Sequence, residues 1–335
     1  MFLESHINNM KISIIIACYN AENYIQQCLD SIYHSSFKNF EIIAINNSSQ
    51  DSTLEILKKN QLSKHFLLKS LKNNMGSATA RNLGAQNAKG EILFFIDNDT
   101  EIDKNCLKEI DIFFNKSENI GAIQCRLTRP NGEIDSLGHH LSIFGFPYEI
   151  TELSSKEKQK KILGAKTAGL AVRKSVFNKI NGFDEDYLIS AEDTDLSWRI
   201  WLSGSILIYL PTAIVIHHEK RSTSNKNRIY YQGSKNLINS ITKNSDLVRL
   251  SYILPLNIFV WILISLKLLL AGNPKSSLLI YKGIWWNFRN LSRTISKRAE
   301  IYSKNNVFYI PDNLLFGNIS TFNLVQKGWR WFTSE

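Results

Sequence analysis

The stretch Gly90-Glu91-Ile92-Leu93-Phe94-Phe95-Ile96-Asp97-Asn98-Asp99 joins a continuous apolar run to two carboxylates. Its five consecutive apolar residues, two of them β-branched and two aromatic, predict a strand buried on both faces, as in a parallel sheet covered by helices. In open sheets of this kind, ligands bind outside the carboxyl ends of the strands. The sequence therefore predicts that Asp97 and Asp99 lie at the edge of a binding crevice.

These two carboxylates suit a divalent cation. Paired hard oxygen ligands favour Mg²⁺ or Mn²⁺, which keeps several waters and bridges to substrate phosphates. Acidic residues after a strand also serve simply to solubilise a turn or to cap the following helix. An isolated Asp-X-Asp sequence leaves both interpretations open, and the rest of the chain has to decide between them.

The first hundred residues alternate between predicted strands and helices. Apolar runs predict strands at residues 12–17, 41–45 and 66–68, with a helix at 23–32 after the first of them. This alternation favours a parallel sheet with right-handed crossovers. No G-x-G-x-x-G follows the first strand and the chain has no G-x-x-x-x-G-K-[ST], which disfavours a dinucleotide cofactor and excludes an NTPase P-loop.

A second acidic cluster lies further along the chain. Glu192, Asp193 and Asp195 fall in the first turn of a predicted helix, where carboxylates stabilise the helix dipole, and Ser190 is expected to cap that helix. Beyond it, a predicted buried strand ends in the histidine pair at residues 217 and 218. Imidazole is a common metal ligand, so this strand end extends the candidate metal site.

The C-terminal part of the chain is basic. The net charge is +10, and residues 246–335 hold 11 Lys/Arg against 4 Asp/Glu. Residues 250–266 carry no charge, and aromatic and basic residues alternate between positions 282 and 298, as in helices that lie in a lipid interface. We expect an anionic membrane surface, and not nucleic acid, as the partner. A soluble helical cap over the sheet fits the same pattern, and the uncharged run is also at the lower limit of length for a membrane-spanning helix.

The cysteines and the N-terminal residues indicate the cellular compartment of the protein. The four cysteines form no C-x-x-C pair, which favours a reducing compartment, and the first residues do not have the pattern of a signal peptide. We expect a cytoplasmic protein, peripheral on the inner face of the plasma membrane. The pattern of charge and apolar runs predicts an α/β domain at residues 1–245 and an amphipathic or hydrophobic helical region at 246–335.

Several motifs occur together in a fixed order. They are Ser13-Ile14-Ile15-Ile16-Ala17-Cys18-Tyr19-Asn20, residues 41–53, residues 76–84 with their Ala-Arg-Asn-Leu-Gly, Asp97-Asn98-Asp99, Gly182-Phe183-Asp184-Glu185, and Glu192-Asp193-Thr194-Asp195-Leu196 with Arg199. Together they resemble the inverting, metal-dependent nucleotide-sugar glycosyltransferases of family 2, in particular bacterial enzymes of surface-polysaccharide synthesis such as rhamnosyltransferases. The resemblance covers residues 11–243 and implies the GT-A fold, an α/β fold with a Rossmann-like mixed or parallel sheet flanked by helices.

The resemblance implies a donor site at the first strands. Ala17, Tyr19 and Asn46 would line the nucleoside pocket, with Arg81 nearby. The family usually has Asp where this chain has Asn46. An amide oxygen can still accept a hydrogen bond from the pyrimidine N3–H, although without the charge that strengthens such a bond. A UDP-sugar or a dTDP-sugar is therefore the expected donor.

The resemblance also implies roles for the acidic residues. Asp97 would contact the ribose and the metal, Asp99 and His217 would bind the Mg²⁺ or Mn²⁺ ion, and Asp193 would be the general base. The acceptor would be a hydroxyl of a glycan or of a lipid-linked glycan. We expect residues 126–166 to carry acceptor choice, and their pair His139-His140 to be either part of that site or an ordinary loop.

Two other functions compete with this interpretation. A sugar nucleotidyltransferase shares the nucleotide-binding half of the fold, but it needs a Gly-rich, Arg-containing loop where this chain has Cys18-Tyr19-Asn20-Ala21-Glu22. A non-catalytic, membrane-associated homologue would bind the nucleotide sugar without transferring it. The joint presence of Asp97, Asp99 and Asp193 disfavours that second alternative.

Overall fold

The structure, a computed structural model, describes residues 11–63, 65–152, 159–218, 226–303 and 307–317. The strands are β1 Ile12–Cys18, β2 Phe40–Asn46, β3 Phe66–Ser70, β4 Ile92–Asp97, β5 Thr100–Ile102, β6 Ile120–Thr128, β7 Ile134–Ser136, β8 His139–Leu141, β9 Pro147–Glu149, β10 Lys160–Lys161, β11 Leu170–Arg173 and β12 Ile206–His217. The helices are α1 Ile25–Tyr33, α2 Thr53–Asn60, α3 Ser77–Asn87, α4 Cys106–Lys116, α5 Lys174–Lys179, α6 Glu192–Leu202, α7 Lys226–Asn244, α8 Leu247–Leu270, α9 Pro274–Arg289, α10 Leu291–Ser303 and α11 Asp312–Leu315.

A mixed sheet, to which the described residues contribute ten strands, forms the centre of the molecule. Its main path has the order β10-β12-β6-β11-β4-β1-β2-β3, with β5 beside β12 and β7 beside β6. The four strands β3, β2, β1 and β4 are parallel, which confirms the parallel half predicted from the alternation of strands and helices. Strands β6 and β12 are also parallel, and β11 lies antiparallel between β4 and β6. The predicted fold class, a mixed α/β sheet flanked by helices, is confirmed.

The strand β4 is buried on both of its faces. Phe94 and Ile96 pack into one apolar layer, while Leu93 and Phe95 pack into the layer on the other side of the sheet. Because successive side chains of a strand point to opposite faces, a strand covered on both sides needs a continuous apolar run. The burial predicted from the five apolar residues of this strand is confirmed.

The ends of three parallel strands are aligned at one edge of the sheet. Ala17 of β1 lies in register with Asp97 of β4, and Cys18 lies in register with Asn46 of β2. The register therefore places Ala17 beside Asp97 and Asn46 one residue further along, at the edge where sheets of this kind bind ligands.

The predicted cap of α6 is wrong. Ser190 and Ala191 have left-handed backbone, with φ of 73° and 64°, and α6 has no side-chain hydrogen bond at its N-cap. A capping side chain needs extended backbone at its own residue, which Ser190 does not have. The carbonyl of Ser190 instead accepts a hydrogen bond of 2.7 Å from Asn236 Nδ2, so α7 holds this unusual turn in place.

Four helices, α7 to α10, follow the sheet. Helix α7 packs most extensively against α9 and also contacts α6, so the packing continues across residue 245. Within the described ranges, α8 is the one helix whose length and composition suit a membrane crossing, with a mean hydropathy of 2.3 over its most apolar window. All four cysteines are buried and free.

Candidate active site

The chain turn after β4 brings two carboxylates and an imidazole together. Strand β4 ends at Asp97, and β5 begins at Thr100, which pairs antiparallel with His217 at the end of β12. This pairing directs His217 toward the turn, where its Nε2 lies 3.6 Å from Asp99 Oδ1. One potential ligand atom from each of Asp97, Asp99 and His217 lies within 4.8 Å of the others.

A third carboxylate fixes the orientation of the imidazole. Asp135 of β7 is buried, and its Oδ2 lies 3.0 Å from Nδ1 of His217. Burial favours the neutral imidazole, but the hydrogen bond to Asp135 and the charges of Asp97, Asp99 and Asp135 outweigh it and raise the pKa of His217. A carboxylate behind a histidine whose other nitrogen faces two more carboxylates is the arrangement of many metal sites. The donor set fits Mg²⁺ or Mn²⁺.

Arg81 connects this cluster to the acidic turn of α6. Its Nη2 donates to Asp97 Oδ1 at 2.8 Å and its Nη1 donates to Glu192 Oε1 at 3.1 Å. Ser77, at the start of α3, donates to the same Glu192 oxygen at 2.8 Å. Arg81 and Glu192 are buried, so their ion pair is shielded from water, whereas Asp97 is partly exposed; together the two contacts fix the distance between β4 and α6. The structure thus places Arg81 against Asp97.

The three acids of the first turn of α6 have different surroundings. Glu192 is paired with Arg81, and the fully buried Asp195 is paired with Arg199 at 2.7 Å and with Lys243 at 2.8 Å. Asp193 forms no ion pair within the described part of the chain and accepts the backbone N–H of Thr194 at 2.7 Å. Burial raises the pKa of Asp193, although that hydrogen bond, Arg81 and Lys166 oppose the effect. A carboxylate of raised pKa without an ionic partner is suited to accept a proton.

The candidate nucleoside residues lie on the first two strands. Tyr19 is exposed in the loop after β1, and Asn46 is buried at the end of β2. Oδ1 of Asn46 accepts the backbone N–H of Ser49 at 3.2 Å and so closes the turn that follows β2. Ala17 contributes its carbonyl, which accepts from Asn98 Nδ2 at 3.1 Å. The amide oxygen of Asn46 keeps one further lone pair for a ligand.

The glycine and asparagine of the Ala-Arg-Asn-Leu-Gly motif explain why α3 holds its position. A Cβ at Gly84 would lie 2.5 Å from the Ile15 side chain, so only glycine allows α3 to approach β1 this closely. Asn82 exchanges hydrogen bonds of 2.9 Å with both the N–H and the carbonyl of Phe183. This motif therefore fastens the segment that leads to α6 and positions Arg81.

Sequence reasoning missed three charged residues beside the site. Lys166 Nζ lies 3.4 Å from Asp135 Oδ2 and 3.7 Å from Glu149 Oε1. Burial, opposed by Lys166, raises the pKa of Glu149 to about 7. Neither Asp135 nor Glu149 belongs to a motif, because both lie on three-residue strands whose pairing joins distant parts of the chain. The sequence pointed to Asp135 and Glu149 only in that both lie between residues 126 and 166, the stretch expected to carry acceptor choice.

The histidine pair of that region is buried. His139 Nε2 lies 3.1 Å from Thr194 Oγ1, next to Asp193, and burial lowers the pKa of His139 to about 3. His140 Nδ1 lies 2.8 Å from the carbonyl of Leu314. His139 is thus a neutral side chain that packs β8 against the acidic turn, and His140 joins β8 to α11.

The sequence and its relatives agree on a family. Residues 13–180 match the family model described as Glycosyl transferase family 2. The chain is 27% identical over 226 residues to glycosyltransferase GlyA of Streptococcus pneumoniae serotype 4, which covers 64% of this chain and 31% of that protein. It is 29% identical over 208 residues to poly-beta-1,6-N-acetyl-D-glucosamine synthase of Staphylococcus epidermidis, which covers 61% of this chain and 48% of that protein. The chain thus spans less than half the length of these relatives.

Solved structures share the fold. Residues 1–349 of S. aureus TarS in complex with UDP-GlcNAc match with a TM-score of 0.59 at 19% identity, over 96% of this chain and 92% of that one. GalNAc-T7 with UDP, GalNAc and Mn²⁺ matches with a TM-score of 0.58 at 16% identity, over 71% of this chain and 48% of that one. At such identities the likeness extends to the arrangement of the sheet and its helices.

Proposed function

This chain belongs to glycosyl transferase family 2, and on that basis we propose that it transfers a sugar from a nucleotide-diphosphate sugar to a hydroxyl of a glycan or lipid-linked glycan, in the biosynthesis of surface polysaccharide. The observation that carries the proposal is the convergence of Asp97, Asp99 and His217 at one strand edge, joined through Arg81 to the turn that holds Asp193. Metal-binding and proton-accepting carboxylates on neighbouring elements are what a single displacement at a sugar carbon requires.

The donor side of the proposal rests on the strand ends. Asp97, Asp99 and His217 would hold Mg²⁺ or Mn²⁺, and a bound divalent ion neutralises the charge left on the diphosphate. Ala17, Tyr19 and Asn46 would contact the nucleoside. Solved structures of the same fold hold UDP-GlcNAc, or UDP with Mn²⁺, which supports a nucleotide sugar and a divalent cation here; the specific donor that we propose is a UDP-sugar or a dTDP-sugar.

The acceptor side rests on α6 and on residues 126–166. Asp193 would take the proton from the acceptor hydroxyl as that oxygen attacks the sugar, and one displacement with one base inverts the anomeric centre. Glu149 and Lys166 lie together beside this turn, with Lys166 also held by the buried Asp135, and would bind the acceptor's polar groups. Charged side chains fixed by one another are suited to orient a polyhydroxylated ligand.

The proposed location is the cytoplasmic side of the plasma membrane, with peripheral attachment. Four buried free cysteines suit a reducing compartment. The basic C-terminal helices suit an anionic inner leaflet, where a lipid-linked acceptor would be found.

A thermal-unfolding screen of nucleotide sugars tests the proposal. A ligand that binds only the native state stabilises it, by about 2.7 kcal/mol at a hundredfold excess over its dissociation constant. We expect UDP-sugars or dTDP-sugars to raise the Tm when Mn²⁺ is present, and the stabilising donor to support transfer of its sugar to glycan acceptors from membrane extracts. GDP-mannose and CMP-sialic acid are the matched controls. Stabilisation by no nucleotide sugar would contradict the proposal, and binding without transfer to any acceptor would favour the non-catalytic homologue.

A further inference from the structure

Helices α8 and α9 form a hairpin. The chain reverses between Leu270 and Pro274 through Gly272, whose φ of +74° favours glycine. On the way back, the hydroxyl of Ser277 in α9 lies 2.7 Å from the hydroxyl of Ser265 in α8. Small buried residues at this contact let the two helices approach closely.

The returning helix is attached firmly to α7. Asn287 Nδ2 donates to the carbonyl of Lys235 at 2.9 Å. A Cβ at Gly283 would lie 2.1 Å from Ser234 Oγ, so the two backbones are in close contact. Helix α7 is joined in turn to the catalytic part, since Lys243 forms ion pairs with Asp184 and Asp195. The hairpin and the sheet are therefore one packed unit.

This packing argues against a membrane crossing by α8. With 24 residues, the helix is about 36 Å long, which is enough to cross a bilayer. A crossing, however, would carry the turn at Gly272 to the far side and draw Lys275 and Lys282 of α9 through the hydrocarbon. Charged side chains are costly there, and α9 would lose its contacts with α7. If α8 instead lies along the membrane surface, the lysines stay outside the hydrocarbon and α9 keeps its contacts with α7.

The outward side of the hairpin carries two apolar stripes. Phe259, Leu263, Leu266 and Leu270 are exposed on α8, and Leu278, Tyr281, Trp285 and Phe288 are exposed on α9. The spacing of three and four residues places each set on one side of its helix. Only 28% of the residues in the most apolar window of α8 are buried. We call these eight residues the outer face.

Charge around the outer face is of one sign. Residues 247–299 contain eight Lys/Arg and no Asp or Glu. Lys267, Lys275, Lys282 and Arg289 are exposed on the hairpin, within three or four residues of the apolar stripes. Trp285 and Phe288 stack at 5.4 Å between ring centroids and are both exposed. Apolar and aromatic stripes with a basic border suit the interface of an anionic bilayer.

We propose that the outer face of the α8–α9 hairpin docks onto an anionic membrane and lies in its interface without crossing it. This proposal specifies which surface attaches the protein at the proposed location. It rests on the proposed function only for the purpose of docking, which is access to a lipid-linked acceptor. A second copy of the chain is a poorer occupant, because two outer faces would bring like charges together.

The hairpin also supports the acceptor side of the site. Asn257 Nδ2 donates to the carbonyl of Phe144 at 2.7 Å, and the Phe146 ring lies 5.4 Å from the Trp261 ring. These contacts hold the turn between β8 and β9, and β9 ends at Glu149. Docking of α8 would therefore keep the acceptor-binding strands close to the lipid surface.

Co-sedimentation of the full chain with vesicles tests the docking proposal. We expect binding to phosphatidylglycerol-containing vesicles at low salt, and weak binding to pure phosphatidylcholine or at high salt. The double variant Leu270→Glu/Phe288→Glu alters side chains that are 90% and 69% exposed, so it should fold and lose roughly tenfold or more in partitioning. Leu62→Glu, at a side chain that is 94% exposed on the catalytic part, is the matched control and should bind as the wild type does.

Three outcomes would overturn the docking proposal. The first is that the double variant binds vesicles as well as wild type does. The second is that alkaline carbonate fails to extract the bound wild-type chain, which would indicate a membrane crossing. The third is that wild type does not bind vesicles but forms a dimer that the double variant dissociates. Thermal stability of each variant checks that it folds. Nucleotide-sugar binding, measured in parallel without lipid, reports on the proposed function alone, so the two proposals can fail separately.

Discussion

Oδ2 of Asp135 lies 3.0 Å from Nδ1 of His217, while the other imidazole nitrogen faces Asp99. A hydrogen-bonded partner of this kind fixes a metal ligand, and its loss typically costs about 10-fold to 100-fold in metal affinity. We predict that Asp135→Asn weakens Mn²⁺-dependent nucleotide-sugar binding by this factor, measured by titration calorimetry. Glu133→Gln changes an exposed carboxylate two residues away and should leave the affinity unchanged. Equal affinities for Asp135→Asn and wild type would contradict the assignment.

The second prediction concerns Asp99, which we propose as a metal ligand. Asp99→Asn should abolish the Mn²⁺ dependence of nucleotide binding while the fold is kept, because a carboxylate at the sheet edge contributes little to the core. Binding of UDP with and without Mn²⁺ measures the effect, and circular dichroism reports the fold. Asp103→Asn, at an exposed site after the same turn, is the control. Wild-type Mn²⁺ dependence in Asp99→Asn would refute the metal site.

Arg81 supports a prediction about stability. Its loss would leave the buried Glu192 without a counter-charge, which typically costs about 3–5 kcal/mol. Arg81→Leu should therefore lower the free energy of unfolding in urea by about this amount. The double variant Arg81→Leu/Glu192→Leu removes both charges and should recover at least half of the loss. If Arg81→Leu is as stable as wild type, the ion pairs that join β4 to α6 do not stabilise the fold.

The sheet edge was predictable from the sequence because local patterns encode it. The apolar run before Asp97 identifies a strand covered on both faces, and the acids that follow it lie where such strands bind ligands. His217 was also placed correctly at a strand end. Its contact with Asp99 depends on the pairing of β12 with β5, which joins residues more than a hundred positions apart.

Other features could not be predicted from local sequence. Asp135 and Glu149 lie on short strands without a periodic pattern, so only the folded chain brings them beside Lys166. The capping role expected for Ser190 is wrong because α7 holds that turn in left-handed backbone, a tertiary effect that overrides local preference. The division of the chain at residue 245 stays a prediction, since α7 contacts elements on both sides of it.

The ion pairs of Lys243 give a pH-dependent prediction. Burial alone would raise the pKa of Asp195, but Arg199 and Lys243 outweigh it and lower the pKa below the ordinary 3.8. A lowered folded-state pKa stabilises the protein above about pH 4, and this contribution is lost as the pH falls through the folded value. Lys243→Met should cost about 3–5 kcal/mol at pH 7.

The loss of unfolding free energy in this variant, relative to wild type, should become smaller as the pH falls below 3.8, because protonated carboxyl groups no longer form ion pairs with the lysine. Denaturant unfolding at several pH values measures this difference. Lys297→Met, whose side chain is 28% exposed, is the control and should cost less. A destabilisation by Lys243→Met that does not change with pH would contradict the electrostatic explanation.

The general-base role of Asp193 is the central claim, and the turnover of Asp193→Asn tests it most directly. The variant keeps the shape of the side chain but cannot accept a proton, which typically lowers the rate by about 100-fold to 10,000-fold. Donor affinity should stay unchanged, because the candidate metal and nucleoside residues lie on other elements, so the loss should appear in kcat. Glu149→Gln removes another nearby carboxylate of raised pKa and should alter the acceptor KM instead. The account predicts a kcat lower by at least about 100-fold for Asp193→Asn with wild-type donor binding; a kcat near the wild-type value would contradict it.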